Sequence, residues 1–320
     1  MRLCSLPRFI SLPQPFDRFI GGLYDWQMQH KIVYSCVVDA SKPLLVRQCL
    51  VFVTCLIKLC RVSPRRIIVH SVGEQEVLRT FLERYGVRLV LVEPFADRQY
   101  CNKLSQLGSP LLAHAEYVCL CDCDMAFAAP MDAMLTPDAI CGKVVDVSRP
   151  PLHTLQTIFG RYGLPLPSTV PTLSGLTFAG NFNGGLYAGP ARLFRHITPV
   201  WKAYAHSLLH DAVSLGLLGE WRIHIDQLSF CMAIHKCAVR VCSLPTECNF
   251  PLHILQKYAI SLTDFHQLCP AIPCTGGAVS AVHYHDLLGA DGLISFRCGD
   301  PRLDAPLTAI NACIAGLPVI

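Results

Sequence analysis

The stretch Tyr117-Val-Cys-Leu-Cys-Asp122-Cys-Asp124-Met decides the fold. It begins as an apolar run and ends in two aspartates that are two residues apart. Side chains at this spacing in an extended chain point to the same side, and open α/β sheets bind ligands beyond the carboxyl ends of their strands. Two carboxylates so close repel each other unless a cation lies between them. Because hard oxygen ligands suit Mg²⁺ or Mn²⁺, the stretch predicts a strand that ends in a divalent-metal site.

Upstream of this stretch, strand-like and helix-like segments alternate. Apolar runs without polar alternation, separated by helices, are typical of a parallel sheet that is covered on both faces. The fold class that we predict is therefore α/β, with a mainly parallel central sheet flanked by helices. The predicted strands are 31–38, 66–70, 87–92 and 117–121, and the predicted helices are 43–60, 74–85 and 102–115, the last one interrupted near Gly108 and Pro110.

Downstream of the two aspartates the pattern changes. Residues 148–180 are rich in Pro, Gly, Ser and Thr and predict a loop excursion over the site, since a long loop inside a compact domain is often functional. Helical patterning returns at 191–218 and 226–235, and a last strand is predicted at 239–244. The predicted organisation is an irregular arm at 1–30, a single domain at 31–300 and a C-terminal tail at 301–320.

The composition indicates a folded protein with a large apolar core. Of the 320 residues, 52% are hydrophobic and 16% are charged, and the net charge is +4. Disorder over most of the chain is therefore disfavoured. The basic residues are too few and too dispersed to favour a nucleic-acid partner.

The apolar segments do not predict a membrane span. No window reaches the roughly 20 apolar residues that a span needs, and the longest candidate, 44–60, carries Arg47, Gln48 and Lys58. Prolines interrupt the N-terminal segment, where a signal peptide needs an unbroken apolar stretch. We expect a soluble, cytoplasmic protein, for which peripheral contact with a membrane stays open.

Several of the 18 cysteines lie in or beside apolar runs, where free cysteine behaves as a small hydrophobic residue. Cys119, Cys121 and Cys123 alternate through the deciding stretch, which leaves a zinc site as an alternative. They lack a second pair at ligand spacing, so packing is the favoured interpretation.

The Asp122-Cys-Asp124 segment resembles the DxD motif of GT-A glycosyltransferases. Further elements occur in the order of that family, and several resemble its glycogenin-like, family 8 branch over residues 31–290. These elements are Asp39 at the end of the first strand, Asn102-Lys103-Leu104, Asn181-Phe-Asn183-Gly184-Gly185-Leu186, His224-Ile-Asp226-Gln227 and Val282-His283-Tyr284-His285.

The resemblance implies a GT-A fold and a metal-dependent, hexosyltransferase-like activity. The donor would be a nucleoside diphosphate-sugar, and the acceptor a glycan or another molecule with a hydroxyl group. The resemblance assigns the metal, Mn²⁺ or Mg²⁺, to Asp122, Asp124 and His283, the donor to Asp39, Asn102, Lys103, Asp122, Gly184 and Gly185, and catalysis to Asp226, Gln227 and Asn183.

Several choices stay open within this interpretation. His285 is an alternative to His283 as metal ligand. An inverting enzyme would use Asp226 as the base, whereas a retaining enzyme, which the resemblance favours, would use Asp226 or the amides of Asn183 and Gln227 to orient and stabilise. The chain also departs from the family, because Asp286-Leu-Leu288 follows the late histidines in place of a Gly and a Lys-Pro-Trp run.

Simpler interpretations and two other functions compete with this one. Asn102 could cap a helix, the two glycines could form a plain turn, and Asp226 could be a first-turn helix carboxylate. A haloacid-dehalogenase-like phosphatase would use Asp122 as nucleophile, but there the motif sits near the chain start, whereas here it follows four predicted strands. The third alternative is a non-catalytic nucleotide- or carbohydrate-binding module, which the intact Asp122, Asp124 and His283 disfavour.

Overall fold

The structure is a computed structural model that describes residues 32–96, 98–258, 260–268 and 272–318. The predicted N-terminal arm at 1–30 lies outside the described residues. No helix in the described part of the chain is both long enough and apolar enough to cross a membrane.

The described strands and helices alternate through the first half of the chain. The strands are β1 (Ile32–Asp39), β2 (Ile67–Val72), β3 (Arg88–Leu91), β4 (Tyr117–Cys121), β5 (Met125–Phe127), β6 (Ile140–Val144), β7 (Thr169–Thr172), β8 (Gly175–Phe178), β9 (Phe182–Pro190), β10 (Val241–Ser243), β11 (Phe250–Pro251) and β12 (Ala281–His283). The α-helices are α1 (Pro43–Lys58), α2 (Glu76–Tyr85), α3 (Pro110–Ala113), α4 (Leu152–Arg161), α5 (Ala191–His210), α6 (Ala212–Leu218), α7 (Ile225–Lys236), α8 (Leu252–Tyr258), α9 (Leu262–Leu268) and α10 (Pro301–Ile314). Short 3₁₀ helices span Pro64–Arg66, Tyr100–Gly108, Asp132–Met134, Gly219–His224 and Thr246–Cys248.

Seven strands form the central sheet in the order β10-β6-β9-β4-β1-β2-β3. All neighbouring pairs are parallel except the two that involve β9, which runs antiparallel to both β4 and β6. The predicted α/β class with a mainly parallel sheet is therefore confirmed. Strand β4 has the predicted bounds, and all five of its residues are buried, as a continuous apolar run in a covered sheet requires.

Strand β9 was not predicted, because its glycines lower the strand propensity of the segment. The packing of the sheet explains them. A Cβ atom at Gly189 would lie 2.8 Å from the carbonyl oxygen of Ala139 in the backbone before β6. The strand therefore contains glycine where a neighbouring backbone approaches closely.

Four predicted segments differ from the structure in their regular elements. The predicted helix at 102–115 is a 3₁₀ helix followed by α3, because Pro110 has no N–H to continue a helical ladder. The predicted helix at 191–218 is divided at Asp211, whose carboxylate accepts from the backbone N–H of Val213 at 3.1 Å and caps α6. The excursion at 148–180 contains α4 and the β7–β8 hairpin, and the segment expected as a C-terminal tail contains α10.

The alternating cysteines of β4 and the following turn are buried. Cys119 and Cys121 place their Sγ atoms 3.6 Å apart, and none of the cysteines in the described residues forms a disulfide. The packing interpretation fits this geometry, since the three side chains lie outside the group of possible metal ligands described below.

Candidate active site

The predicted site residues surround one cavity of about 510 Å³, a volume in the usual range for a small-molecule site. It lies at the carboxyl ends of β1 and β4, which are parallel neighbours with Cys36 opposite Cys121. The predicted residues that line it are Asp39, Asn102, Lys103, Asp122, Asp124, Asn183, Gly184, Gly185, Asp226, Gln227 and His283, together with His285.

Short strands bring the late histidines to the aspartates. Strand β5 begins directly after Asp124, and β12 pairs antiparallel with it, so that His283 lies opposite Met125. The backbone N–H of Tyr284 donates to the carbonyl oxygen of Asp124 at 3.2 Å. On the other side, the N–H of Asp122 donates to the carbonyl oxygen of Gly185 at 3.0 Å. Distant parts of the sequence therefore meet at one edge of the sheet.

Asp124, His283 and His285 form a group of possible metal ligands. One ligand atom from each lies within 4.8 Å of the others. The Nε2 atom of His283 is 3.2 Å from Oδ1 of Asp124, and the Nδ1 atom of His285 is 3.5 Å from Oδ2. A carboxylate and imidazoles are ligands that Mn²⁺ and other transition-metal ions accept.

Unsatisfied polar atoms point to an ion at this position. Among the described residues, Oδ1 of Asp124 and both ring nitrogens of His283 are buried without a well-aligned hydrogen-bond partner. A buried polar atom without a partner costs about 1–3 kcal/mol. A cation bound between the carboxylate and the imidazole would remove this cost, so the residues present fit a divalent metal.

The charge states of Asp124 and the two histidines depend on one another. Burial alone would raise the pKa of the Asp124 carboxyl, but His283, His285 and Lys103 outweigh it and hold that pKa well below its usual range. Burial lowers the pKa of His285 to about 4, and neighbouring His283 adds to this effect. At neutral pH, Asp124 is therefore an anion and His285 a neutral imidazole, the protonation states that a metal ligand needs. Burial alone would lower the pKa of His283, but Asp124 outweighs burial and raises it, so that a cation must displace a proton from this ring.

Asp122 faces a different partner from Asp124. Its Oδ1 lies 2.6 Å from Nζ of Lys103, which also donates to the carbonyl oxygen of Gly184 and lies 3.9 Å from Oδ2 of Asp226. Asp122 does not belong to the three-residue group of close ligand atoms. The buried ammonium group of Lys103 is therefore the charge partner of Asp122 in this structure.

The glycine segment of β9 is fixed by amide side chains. Oε1 of Gln227 accepts from the N–H of Gly184 at 3.0 Å. Oδ1 of Asn183 accepts from the N–H of Gly185 at 2.9 Å and from Nδ2 of Asn249 at 3.1 Å. A Cβ atom at Gly185 would lie 2.6 Å from Nδ1 of His283. Glycine is therefore required here for the late histidine to reach Asp124.

Two further residues, Asp39 and Asn102, are predicted to contact the nucleotide-sugar. Asp39 ends β1, and Asn102 lies near the start of the 3₁₀ helix before α3. The carboxylate of Asp39 accepts from the N–H and the hydroxyl of Ser41; burial alone would raise its pKa, but these bonds outweigh burial and lower it. Oδ1 of Asn102 accepts from the N–H of Phe95 at 3.0 Å. Both residues line the cavity. None of the residues 148–180, all of which the structure describes, lines it.

Three residues that support the histidines and Asn183 are not among the predicted site residues. His253 stacks edge-on against His285, with ring centroids 4.0 Å apart. Gln48, in α1, donates through Nε2 to the carbonyl oxygen of His285, and Asn249 supports Asn183. No regular spacing relates these residues to the predicted site, so the sequence does not mark them.

Comparisons with known proteins support the fold. No protein-family model matches the chain, and no curated protein matches it. Among solved structures, the galactosyltransferase LgtC in complex with donor and acceptor sugar analogs is similar with a TM-score of 0.52 and 14% identity, over 89% of this chain and 97% of that chain. Mouse xyloside xylosyltransferase 1, apo form, has a TM-score of 0.45 and 14% identity, over 80% of this chain and 98% of that chain. The likeness to the LgtC structure shows that this chain has a GT-A type fold.

Proposed function

We propose that this chain is a metal-dependent glycosyltransferase that moves a glycosyl group from a nucleoside diphosphate-sugar to a hydroxyl acceptor. The observation that carries the proposal is the group formed by Asp124, His283 and His285, at the strand-end cavity of a GT-A type fold. The LgtC structure holds donor and acceptor sugar analogs, which supports the same two kinds of substrate here. The acceptor would be a glycan or another hydroxyl compound.

In this proposal, the residues around the cavity have two roles, nucleotide binding and glycosyl transfer. Asp39 and Asn102 would contact the nucleoside, as the family resemblance implies. Asp124 and His283 would hold Mn²⁺ or Mg²⁺, with Asp122 nearby. When bound, the cation would neutralise the charge that develops on the leaving diphosphate.

For glycosyl transfer, Asp226 is the carboxylate that we assign to the reaction. It is 9% exposed and lines the cavity, and its Oδ2 lies 3.9 Å from Nζ of Lys103. In an inverting reaction it would accept the proton of the acceptor hydroxyl. In a retaining reaction, which the resemblance favours, it would stabilise positive charge on the transferred sugar.

Gln227 and Asn183 act mainly by positioning. Oε1 of Gln227 accepts from the N–H of Gly184, and Nε2 donates to Oδ1 of Asn181 at 3.4 Å. The carbonyl oxygen of the Asn183 side chain accepts two bonds from the protein. These contacts hold Gly184 and Gly185 against the cavity, where a backbone without Cβ atoms lets the donor sugar approach closely.

The two alternative functions are less well supported. In a haloacid-dehalogenase-like phosphatase, Asp122 would attack phosphorus, but here its Oδ1 is paired with Lys103 at 2.6 Å. A non-catalytic module has no need for a buried carboxylate beside two imidazoles, and the GT-A type fold favours neither alternative.

A donor screen tests the proposed function. The full chain is incubated with a panel of UDP- and GDP-sugars, with Mn²⁺ or with EDTA, and its Tm and the release of nucleoside diphosphate are measured. We expect at least one donor to raise the Tm only when the cation is present. Asp226→Asn should keep that shift and lose about 10²-fold or more in the rate of release, whereas exposed Glu83→Gln should change neither. The proposal fails if no nucleotide-sugar shifts the Tm in Mn²⁺.

A further inference from the structure

His285 reaches Asp124 through an unusual backbone conformation. Its φ is +50°, in the left-handed region that residues other than glycine rarely adopt and that costs about 1 kcal/mol or more. Its carbonyl oxygen accepts from Nε2 of Gln48, a residue of α1 that is 3% exposed. A buried side chain from a different element therefore holds the strained residue in place.

In this conformation the rings of His283 and His285 stack against each other beside the carboxylate of Asp124. The ring centroids of His283 and His285 are 4.0 Å apart, with an interplanar angle of 22°. Each ring faces its own oxygen of Asp124, at 3.2 Å and 3.5 Å. Two ligands that each lie about 2.1 Å from one ion, at tetrahedral or octahedral angles, are about 3.0–3.4 Å apart. Both observed separations are therefore close to those of neighbouring ligands in one shell.

A third imidazole supports His285 from the side. His253, in α8, packs edge-on against His285 at an interplanar angle of 83°, and its centroid is 6.1 Å from that of His283. Its Nδ1 is buried and has no hydrogen-bond partner among the described residues. Strand β11, which directly precedes α8, pairs with β12, so His253 follows a strand of the same small sheet that contains His283.

Lys103 pairs with Asp122 and so leaves Asp124 as the carboxylate closest to the two imidazoles. With Oδ1 of Asp122 held 2.6 Å from the ammonium group, the nearest ligand atoms belong to one carboxylate and two imidazoles. Mg²⁺ prefers oxygen ligands, whereas imidazole suits transition-metal ions, whose affinities rise from Mn²⁺ to Co²⁺ and beyond.

We propose that His285 is a metal ligand together with Asp124 and His283, and that this carboxylate–bis-imidazole site selects Mn²⁺, Co²⁺ or Zn²⁺ over Mg²⁺. Gln48 and His253 are positioning residues for His285. The proposal rests on the cation site of the proposed transferase, but it concerns metal binding alone and needs no turnover.

Metal binding to the full, metal-free chain tests the proposal. Calorimetry with Mn²⁺, Co²⁺ and Mg²⁺ gives the affinities, and pulsed EPR of bound Mn²⁺ reports how many histidine nitrogens are coupled to it. We expect Mn²⁺ to bind at least about tenfold more tightly than Mg²⁺, with two coupled histidines. His285→Asn should leave one coupled histidine and weaken Mn²⁺ binding by about tenfold or more, because asparagine tolerates the left-handed conformation but lacks the ring.

Two controls keep the outcomes distinct. His210→Asn removes an exposed histidine at the end of α5 and should leave both measurements unchanged. His285→Gly removes the ring and also relieves the strained backbone. If this variant loses one coupled histidine as His285→Asn does, misfolding is excluded as the cause of the loss. Equal affinities for Mg²⁺ and Mn²⁺, or two coupled histidines in His285→Asn, would overturn the proposal. Selective Mn²⁺ binding without any nucleotide-sugar binding would instead refute the proposed function and leave this inference standing.

Discussion

Lys103 is the residue on which the charge balance of the cavity depends. Only 6% of its side chain is exposed, and its Nζ lies between Asp122 and Asp226 and 5.4 Å from the ring centroid of Tyr187. Burial lowers its pKa, but the two carboxylates outweigh burial and raise it. The ammonium group therefore stays charged at neutral pH and limits repulsion among Asp122, Asp124 and Asp226.

Replacing Lys103 with methionine should destabilise the fold. Lys103→Met leaves Asp122 and Asp226 without their shared cation, and breaking a buried pair costs about 3–5 kcal/mol. Because Asp122 is 36% exposed, we expect a loss of about 2–3 kcal/mol in the free energy of unfolding, measured in urea. Adding Asp122→Asn should recover part of this loss. Exposed Lys236→Met is the matched control, and an equally small effect of both substitutions would contradict this account of Lys103.

At the scale of elements, the glycine segment of β9 sets the distance between the sheet and β12. In Gly185→Ala, the added Cβ would meet Nδ1 and Cε1 of His283 at 2.6 and 2.7 Å. The imidazole must then move away from Asp124, so we expect Mn²⁺ affinity to fall by about tenfold or more.

Gly160→Ala is the control for the glycine substitution. Gly160 lies in α4, and beyond the backbone of that helix and the adjacent residues no atom lies within 4 Å of the position that an alanine methyl group would take. Alanine should therefore stabilise the helix by about 0.5–1 kcal/mol. Calorimetry with Mn²⁺ and urea unfolding measure both effects. Unchanged metal affinity in Gly185→Ala would show that His283 does not depend on this close approach.

The elements that the sequence predicts well are those in which one local signal is sufficient. Strand β4 is a continuous apolar run, and α2 ends at Gly86, whose φ of +69° is that of a left-handed C-cap. Strand β9 could not be predicted in this way, because its glycines reflect contacts with Ala139 and His283 that are distant in sequence.

The same distinction applies to the site. The strand-end rule and the family resemblance predict that Asp122, Asp124 and His283 meet at one cavity. The pairing of Asp122 with Lys103 and the approach of His285 depend on side-chain direction and on a positive φ value. Neither quantity leaves a periodic signal in the sequence.

At the scale of the whole molecule, buried His70 should make stability fall in mild acid. His70 lies in β2 with 0% exposure, and burial lowers its pKa to about 4, against about 6.5 in an unfolded chain. Below about pH 6.5 the unfolded chain binds a proton that the folded chain does not, so stability present above that pH is lost as the pH falls towards 4.

His70→Met should remove this contribution. Between pH 7 and pH 5, the free energy of unfolding should fall by about 2 kcal/mol less in His70→Met than in the wild type. Urea unfolding at the two pH values measures the difference, and exposed His196→Gln should behave as the wild type does. Parallel pH profiles for wild type and His70→Met would show that His70 titrates normally in the folded protein.

The fold places candidate site residues from five separate parts of the chain around one cavity, at Asp39, Lys103, Asp124, Asp226 and His283. In the proposed function, such an arrangement would join a diphosphate to the protein through a cation, because carboxylates and phosphates repel each other directly. Metal-dependent binding of a nucleoside diphosphate is therefore the central claim of this account.

Calorimetric titration of UDP and GDP into the full chain, with Mn²⁺ or with EDTA, tests that claim most directly. We predict that one of the two nucleotides binds with Mn²⁺, that EDTA abolishes the binding, and that Asp124→Asn abolishes it while Glu83→Gln does not. Equal affinity with Mn²⁺ and with EDTA, or no binding of either nucleotide in the presence of Mn²⁺, would contradict the account.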